Sequence, residues 1–280
     1  MSNFTVAVAS GKGGTGKTTV AANLASIQEG PVQLLDCDVE EPNVRLFFRP
    51  HAGSHTPVYR LIPSVDAFTC TACGMCCEFC RFSALVKLTD IPQLYEDLCH
   101  SCGGCAVVCP AQAIHEVPHE SGTCTIETDG TIEIVTGELR IGERSAVPVI
   151  REVKRHCRGD MPTIVDVPPG TSCSFVEAVD TCDHVLLVAE PSPFGLHDLR
   201  CTVEALDIME IPCSVLVNRS TGSTIIDDYC SSRNVPVISH LQEDIRFARC
   251  IAEGDLISRV FPELRRTFSD IWEKIIGSIS

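Results

Sequence analysis

The chain has 280 residues, 44% hydrophobic and 21% charged, and its 22 Lys and Arg against 37 Asp and Glu give a formal charge of −15. Such a chain is long enough for one large α/β domain and a smaller module, and its composition excludes a disordered polymer, while the acidic surplus without any Lys/Arg block argues against a general nucleic-acid binder. No apolar run approaches the ~18 residues of a membrane span and no basic, apolar leader precedes the first strand, so the expected location is cytoplasmic, where the 18 cysteines are expected as metal ligands or packing residues and not as disulfides.

The first predicted element is the apolar strand Val6 to Ala9, which enters the glycine-dense loop Ser10-Gly11-Lys12-Gly13-Gly14-Thr15-Gly16-Lys17 and then a helical run from Thr18 through Thr19 to Ala25. Glycines at 11, 13, 14 and 16 let backbone N–H groups turn inward, and the helix N-terminus adds partial positive charge where phosphates would sit. Gly11 to Thr18 fits G-x-x-x-x-G-K-[ST], but Gly11, Gly13 and Gly16 also fit the dinucleotide pattern G-x-G-x-x-G, with Asp36 as its acid about 20 positions on. Lys17-Thr18 separates the two. A triphosphate uses the lysine on its β/γ-phosphates and the hydroxyl on Mg²⁺, whereas a dinucleotide helix has no use for them there. The loop Gly11, Gly13, Gly14, Thr15, Gly16, Lys17, Thr18, Thr19 is therefore the candidate ATP cradle.

Gly-Lys-Gly-Gly-Thr-Gly-Lys-Thr-Thr resembles the deviant Walker A loop of the MinD, ParA, Mrp and nitrogenase iron protein group. That resemblance implies that Lys12 reaches the phosphates of a partner subunit and stabilises charge on the γ-phosphoryl oxygens. It implies a nucleotide-dependent homodimer, or a heterodimer with a paralogue. The next predicted strand, Pro31 to Leu35, ends in Asp36-Cys37-Asp38, and strand C-terminal ends line the ligand crevice of a parallel sheet. By the resemblance Asp38 is a catalytic residue acting on the attacking water, and Asp36 stands behind the Mg²⁺.

From about Arg49 the α/β rhythm stops. Cys70, Cys73, Cys76, Cys80 and then Cys99, Cys102, Cys105, Cys109-Pro110 each read C-x2-C-x2-C-x3-C. This is the bacterial ferredoxin run, in which the fourth cysteine ligates the other cluster. That resemblance assigns one [4Fe–4S] cluster to Cys70, Cys73, Cys76 and Cys109 and another to Cys99, Cys102, Cys105 and Cys80. Zinc is the competing reading, but a tetrahedral site leaves the third cysteine of each run idle. The first run ends in Cys80-Arg81 where the pattern has Cys-Pro, which puts a cation near that cluster; Cys77 is read as an unligated neighbour. The offset of 29 residues from Cys70 to Cys99 implies a pseudo-symmetric fold over roughly Leu61 to Val117.

Alternation in Thr123 to Thr128 and Thr131 to Val135 around Asp129-Gly130 predicts a hairpin with a type I′ turn, and Val149 to Cys157 a helix. Thr163 to Gly170 is an apolar strand ending in Asp166-Val167-Pro168-Pro169-Gly170. It resembles the family's Walker B and switch II, which implies that Asp166 serves Mg²⁺ and that the Gly170 N–H senses the γ-phosphate. Cys173, seven residues after Asp166, is read as a buried or merely switch-adjacent thiol, since the second ligating cysteine of the nitrogenase iron protein has no counterpart. Further strands are predicted at His184 to Glu190, Val215 to Arg219 and Val235 to Ile238; by the resemblance Asn218 and Arg219 meet the adenine, and the loop Leu241 to Asp244 closes over it. Leu264, Phe268, Ile271, Trp272, Ile275 and Ile276 form one stripe of a terminal helix of mixed charge, read as core-packing and not as a membrane anchor. Cys37, Cys124, Cys157, Cys182, Cys201, Cys213, Cys230 and Cys250 lack ligand spacing and are expected to pack.

The expected fold is an α/β P-loop NTPase with a mostly parallel, doubly wound sheet, interrupted by an α+β ferredoxin: ATPase over 1–55, ferredoxin over 56–120, a connecting hairpin over 121–140 and ATPase again over 141–280. The expected function is Mg-dependent ATP hydrolysis coupled to electron transfer, with a redox partner protein. Two alternatives stay open: an Mrp-like ATPase that hands clusters to a client, and a MinD/ParA-like positioning ATPase with redox sensing.

Overall fold

The structure, a computed structural model, describes residues 4–88 and 90–279, and of Ala52 only the backbone. Its first half comprises β1 (Thr5–Ala9), α1 (Lys17–Ser26), β2 (Val32–Asp36), β3 (His51–Val65), α2 (Met75–Phe79), β4 (Leu85–Val86), β5 (Gln93–Leu94), α3 (Gly104–Val107), β6 (Ile114–Asp129) and β7 (Ile132–Leu139). The second comprises α4 (Val147–Arg155), β8 (Thr163–Asp166), α5 (Cys173–Val179), β9 (His184–Ala189), α6 (Pro193–Met209), β10 (Cys213–Ser220), α7 (Ile225–Arg233), β11 (Val237–Gln242), α8 (Ile245–Ala252), α9 (Ile257–Val260) and α10 (Pro262–Ile279).

Nine strands form one sheet in the order β11-β10-β9-β1-β8-β2-β7-β6-β3. Pairing is parallel from β11 to β7 and antiparallel for β7·β6 and β6·β3. Parallel strands buried on both faces are apolar throughout, and alternate side chains go to opposite layers. Thus Ala7, Leu35, Val165 and Leu187 lie in the layer covered by α4, α5, α6 and α7, while Val8, Leu34, Ile164 and Leu186 lie under α1 and α8 to α10. The terminal helix takes its expected place: Leu264, Phe268, Ile271 and Ile275 are buried in that second layer. Among the described residues no helix is long and apolar enough to cross a membrane.

The cysteine-bearing stretch grows out of the sheet itself. β3 and β6 pair antiparallel from His51↔Thr128 to Val65↔Ile114, a ribbon whose near end forms the sheet edge and whose far end carries both runs. The hairpin predicted as a connector is β6–β7, and both of its strands are sheet members. Its register, Asp129↔Ile132, leaves Gly130-Thr131 as the two-residue loop, and of these only Gly130 has positive φ, 62°. That pattern fits a II′ turn and corrects the expected I′.

Within the ribbon's far end the backbone repeats itself. Ala72, Gly74 and Ser83 have φ of 55°, 80° and 52°, and Ser101, Gly103 and Gln112, each 29 positions later, have 54°, 70° and 52°. The Ala84 and Ala113 N–H groups each donate to a cysteine sulfur, Cys80 and Cys109, at 3.3 Å. Asp66 N donates to Ala113 O and Tyr95 N to Ala84 O, both at 2.8 Å, so each half closes on the other.

Candidate nucleotide site and cysteine cradles

Gly16, at φ 93°, turns the chain into α1 so that the helix starts at Lys17 with its first N–H groups unpaired by any side chain. That is the anion-binding end of a helix. The loop and α1 line a cavity of about 1200 Å³ together with Asp38, Pro168, Pro169, Asn218, Arg219 and Leu241 to Ile245. Two loop glycines are fixed by close approach: a Cβ on Gly11 would lie 2.5–2.7 Å from Asp198, and one on Gly16 would lie 2.6 Å from Asn218 Nδ2.

The carboxylates converge on this loop because parallel strands end in register. Asp36 and Asp166 are direct partners on β2 and β8, both fully buried. Asp36 accepts N–H bonds from Asp38 at 3.2 Å and Val44 at 3.1 Å, so it shapes the turn after β2. Burial, with Asp166 next, holds it well above the ordinary carboxylate range. Neither oxygen of Asp166 has a hydrogen-bond partner, and burial raises it to about 6, although Lys17 and the nearby Thr18 hydroxyl pull the other way. The Lys17 ammonium is paired with Asp38 and lies 3.8 Å from Asp166. Burial alone would lower its pKa, but the charges of Asp166, Asp38 and Asp36 hold it above the usual lysine value. An orphaned buried carboxylate beside a threonine hydroxyl is a donor set that suits Mg²⁺.

Lys12 Nζ is 2.8 Å from Glu190 of the same chain, and Arg219 pairs with the other oxygen of that glutamate. Asn218 Nδ2 donates to the Thr15 carbonyl at 2.7 Å, tying the end of β10 to the phosphate loop. The Gly170 N–H donates to the Ser10 carbonyl at 3.0 Å, so the loop after β8 is latched to the end of β1. Cys173 is exposed at the start of α5, and its neighbours Ser172 and Ser174 line the nucleotide cavity.

Two further cavities sort the cysteines. One is lined by Cys70, Cys73, Cys76 and Cys109, the other by Cys80, Cys99, Cys102 and Cys105. The second encloses about 200 Å³ and the first only about 10 Å³. Cys77 lines neither. Burial, with Cys77 next, pushes the Cys76 thiol up to about 11. Among the described residues no three His, Cys, Asp or Glu are gathered for a single metal ion.

The family model of the CobQ/CobB/MinD/ParA nucleotide-binding domain matches residues 6–257. The chain belongs to this family. Two uncharacterised proteins of Methanocaldococcus jannaschii are similar along its whole length: one is 28% identical over 286 residues, covering 97% of each chain, and the other 27% over 275 residues, covering 96% of this chain and 95% of its own. Among solved structures, the septum site-determining protein MinD of Pyrococcus horikoshii, complexed with Mg-ADP, superposes with a TM-score of 0.62 at 17% identity, covering 99% of each chain. That likeness extends to the fold: an α/β P-loop architecture with a mostly parallel sheet.

The CobQ/CobB/MinD/ParA scaffold explains why the loop, Asp36, Asp38 and Asp166 meet at one sheet end. Other features had no local signal. Glu190, an acid closing an apolar core strand, was visible as such but not its double pairing. Arg60 is buried on β3, and its carboxylate partner Glu143 is 83 positions away. Of the cysteines expected to pack, Cys37, Cys124, Cys182, Cys230 and Cys250 are buried and Cys213 partly so, but Cys157 and Cys201 are exposed; Cys157 follows α4, and Cys201 lies on the outer face of α6.

Proposed function

We propose that the chain is a Mg-dependent ATPase whose nucleotide switch gates electron transfer through two [4Fe–4S] clusters held by the ribbon's cysteines. The redox part rests on one observation. The first three cysteines of each run share a cavity with the fourth of the other, the exchange that ferredoxin runs use. Cys70, Cys73, Cys76 and Cys109 would hold one cluster and Cys80, Cys99, Cys102 and Cys105 the other. When bound, such clusters supply one-electron storage at a potential set by charge, hydrogen bonds and solvent around their sulfurs.

The ATPase part follows from the loop. Its N–H groups and the start of α1 would cradle the phosphates, and Thr18 with Asp166 would hold Mg²⁺, Asp36 behind them. A γ-phosphate competes with Asp38 for Lys17. Once Lys17 turns to the phosphate, the released Asp38 carboxylate accepts from the attacking water and orients it. Lys12 and Arg219 would have to leave Glu190, Lys12 toward the phosphates of a partner subunit in a nucleotide-dependent homodimer or heterodimer, Arg219 and Asn218 toward the base. Movement of the Pro168 to Gly170 loop away from Ser10 would pass nucleotide state onward to a docked redox protein.

The MinD likeness favours a second reading, a positioning ATPase in which the cysteine ribbon senses redox state. Anaerobic purification with iron and sulfide quantitation, followed by ATPase rates and acceptor reduction with ATP or a non-hydrolysable analogue, separates the two. About eight irons and eight sulfides per chain and nucleotide-dependent reduction of an acceptor are expected. Nucleotide binding without acid-labile sulfide would end the cluster reading, and clusters whose electron transfer ignores nucleotide would leave the sensor.

A further inference from the structure

The buried guanidinium of Arg60 lies where the cysteine ribbon meets the main sheet, and all three of its nitrogens are engaged. Nη1 donates to the Cys99 carbonyl at 3.0 Å and the Ser101 hydroxyl at 3.1 Å, and Nη2 to the Glu96 carbonyl at 3.0 Å. Nε donates to Glu143 Oε2 at 2.9 Å, and both side chains of this pair are 3% exposed. One planar fork thus pins three points of the segment that opens the second cysteine run, which a lysine's point charge cannot do.

Glu143 belongs to the other side. Its Oε1 accepts the N–H groups of Arg144 at 3.0 Å and Ser145 at 3.5 Å, shaping the turn into α4. From α4, Arg151 makes a two-pronged bond to Glu177 of α5 at 3.1 and 2.8 Å, and Lys154 donates to the Glu177 carbonyl at 2.8 Å. Immediately before α5 runs the loop whose Pro168, Pro169 and Ser172 line the nucleotide cavity. A continuous run of bonded groups therefore leads from that cavity to the second cradle. The first cradle is braced from within the ribbon, where Lys87 donates to the Ala72 carbonyl.

We propose that Arg60 is a positioning residue for the Cys80, Cys99, Cys102 and Cys105 cradle, and that its pair with Glu143 makes this cradle, and not the other, the one that feels nucleotide state. In its use of clusters the inference rests on the reading above. A buried cation beside a cluster favours the reduced, more negative form, so the two substitutions at the pair shift the potential in opposite directions.

The test is a redox titration of the anaerobically purified holoprotein, followed by electron paramagnetic resonance, with Cys102→Ala identifying the signal of the second cluster. Arg60→Met is expected to lower the potential of that cluster and Glu143→Gln to raise it, each leaving the first unmoved. Arg60→Lys keeps the charge but not the fork, so it recovers much of the potential while hydrogen exchange over 96–103 stays raised above the wild type's. Hydrogen exchange provides the readout that needs no cluster: a non-hydrolysable ATP analogue with Mg²⁺ changes exchange over 96–103 more than over 67–74, and Glu143→Gln abolishes the difference while ATP hydrolysis stays at its basal rate. Should Arg60→Met fail to fold, Glu143→Gln and Arg60→Lys decide. Potentials that move together or not at all overturn the proposal, as does a nucleotide effect on 96–103 that survives Glu143→Gln. A preparation without sulfide removes the cluster reading alone, because exchange over 96–103 still tests the link.

Discussion

Two buried acids, Asp36 and Asp166, end neighbouring strands in register, and burial penalises both as anions. Asp166 titrates at about 6 against an ordinary 3.8. Between these values the folded chain keeps a proton that the unfolded chain has released, so this group makes stability fall as pH rises through the window. Without Mg²⁺ and nucleotide the loss amounts to about 3 kcal/mol. Asp166→Asn should remove that slope and stabilise the nucleotide-free chain at pH 7 by about 1–3 kcal/mol, seen by urea denaturation across pH 4 to 7. The same variant should lose the thermal stabilisation that Mg²⁺ with nucleotide gives the wild type. A steeper slope in the variant would show that Asp166 is not the group responsible. Lys17 belongs to the same balance, since three acids hold its charge inside the fold.

At the scale of elements, α10 shows how sequence pattern becomes packing. Its apolar residues recur at spacings of three and four, so one face lies on the second layer of the sheet beside α1, β9 and β11, with Phe268 wholly buried. Phe268→Ala should therefore cost about 3–5 kcal/mol of stability, measured by chemical denaturation, and leave binding to lipid vesicles as weak as the wild type's. A small cost would mean the helix is detachable. The β3–β6 ribbon follows a different logic. Its two strands, 15 and 16 residues long, are held by an antiparallel ladder whose register shifts between His51 and Ser54 and between Val58 and Tyr59, so they form an arm of paired strands that carries the cysteine runs away from the sheet. The tight turn at Gly130 then folds β6 back onto β7.

For the whole molecule, the contrast is between two large apolar layers and a very small third one. Around the cysteines, among the described residues, the buried apolar cluster consists of Cys76, Leu85 and Ile114, and the helices there have five and four residues. So little apolar burial and such short helices do not sustain independent order. Under the proposed cluster reading, stripping the clusters from the loaded protein is expected to raise hydrogen exchange severalfold over residues 66–113 while the parallel strands stay protected and nucleotide still raises the melting temperature. Unchanged protection of 66–113 would show that hydrogen bonds to Arg60 and the paired halves suffice by themselves.

Much of this was legible locally. A glycine loop followed by Lys17-Thr18 dictates an anion cradle, because backbone turning and a helix terminus are local properties. The period from Cys70 to Cys99 likewise produces a repeated backbone, visible in the matching positive φ values at 72, 74 and 83 and at 101, 103 and 112. What the sequence could not settle is what lies opposite what. The meeting of Asp36 with Asp166, the hold of Glu190 on both Lys12 and Arg219, and the bridge from Arg60 to Glu143 join residues 29 to 178 positions apart. Strand order and register create those contacts, and no local pattern encodes them. The glycine loop and the cysteine period are thus written in the chain locally, because backbone turning and short-range spacing are local properties, whereas the tertiary structure decided which groups touch and through which of them the cysteine ribbon is tied to the main sheet.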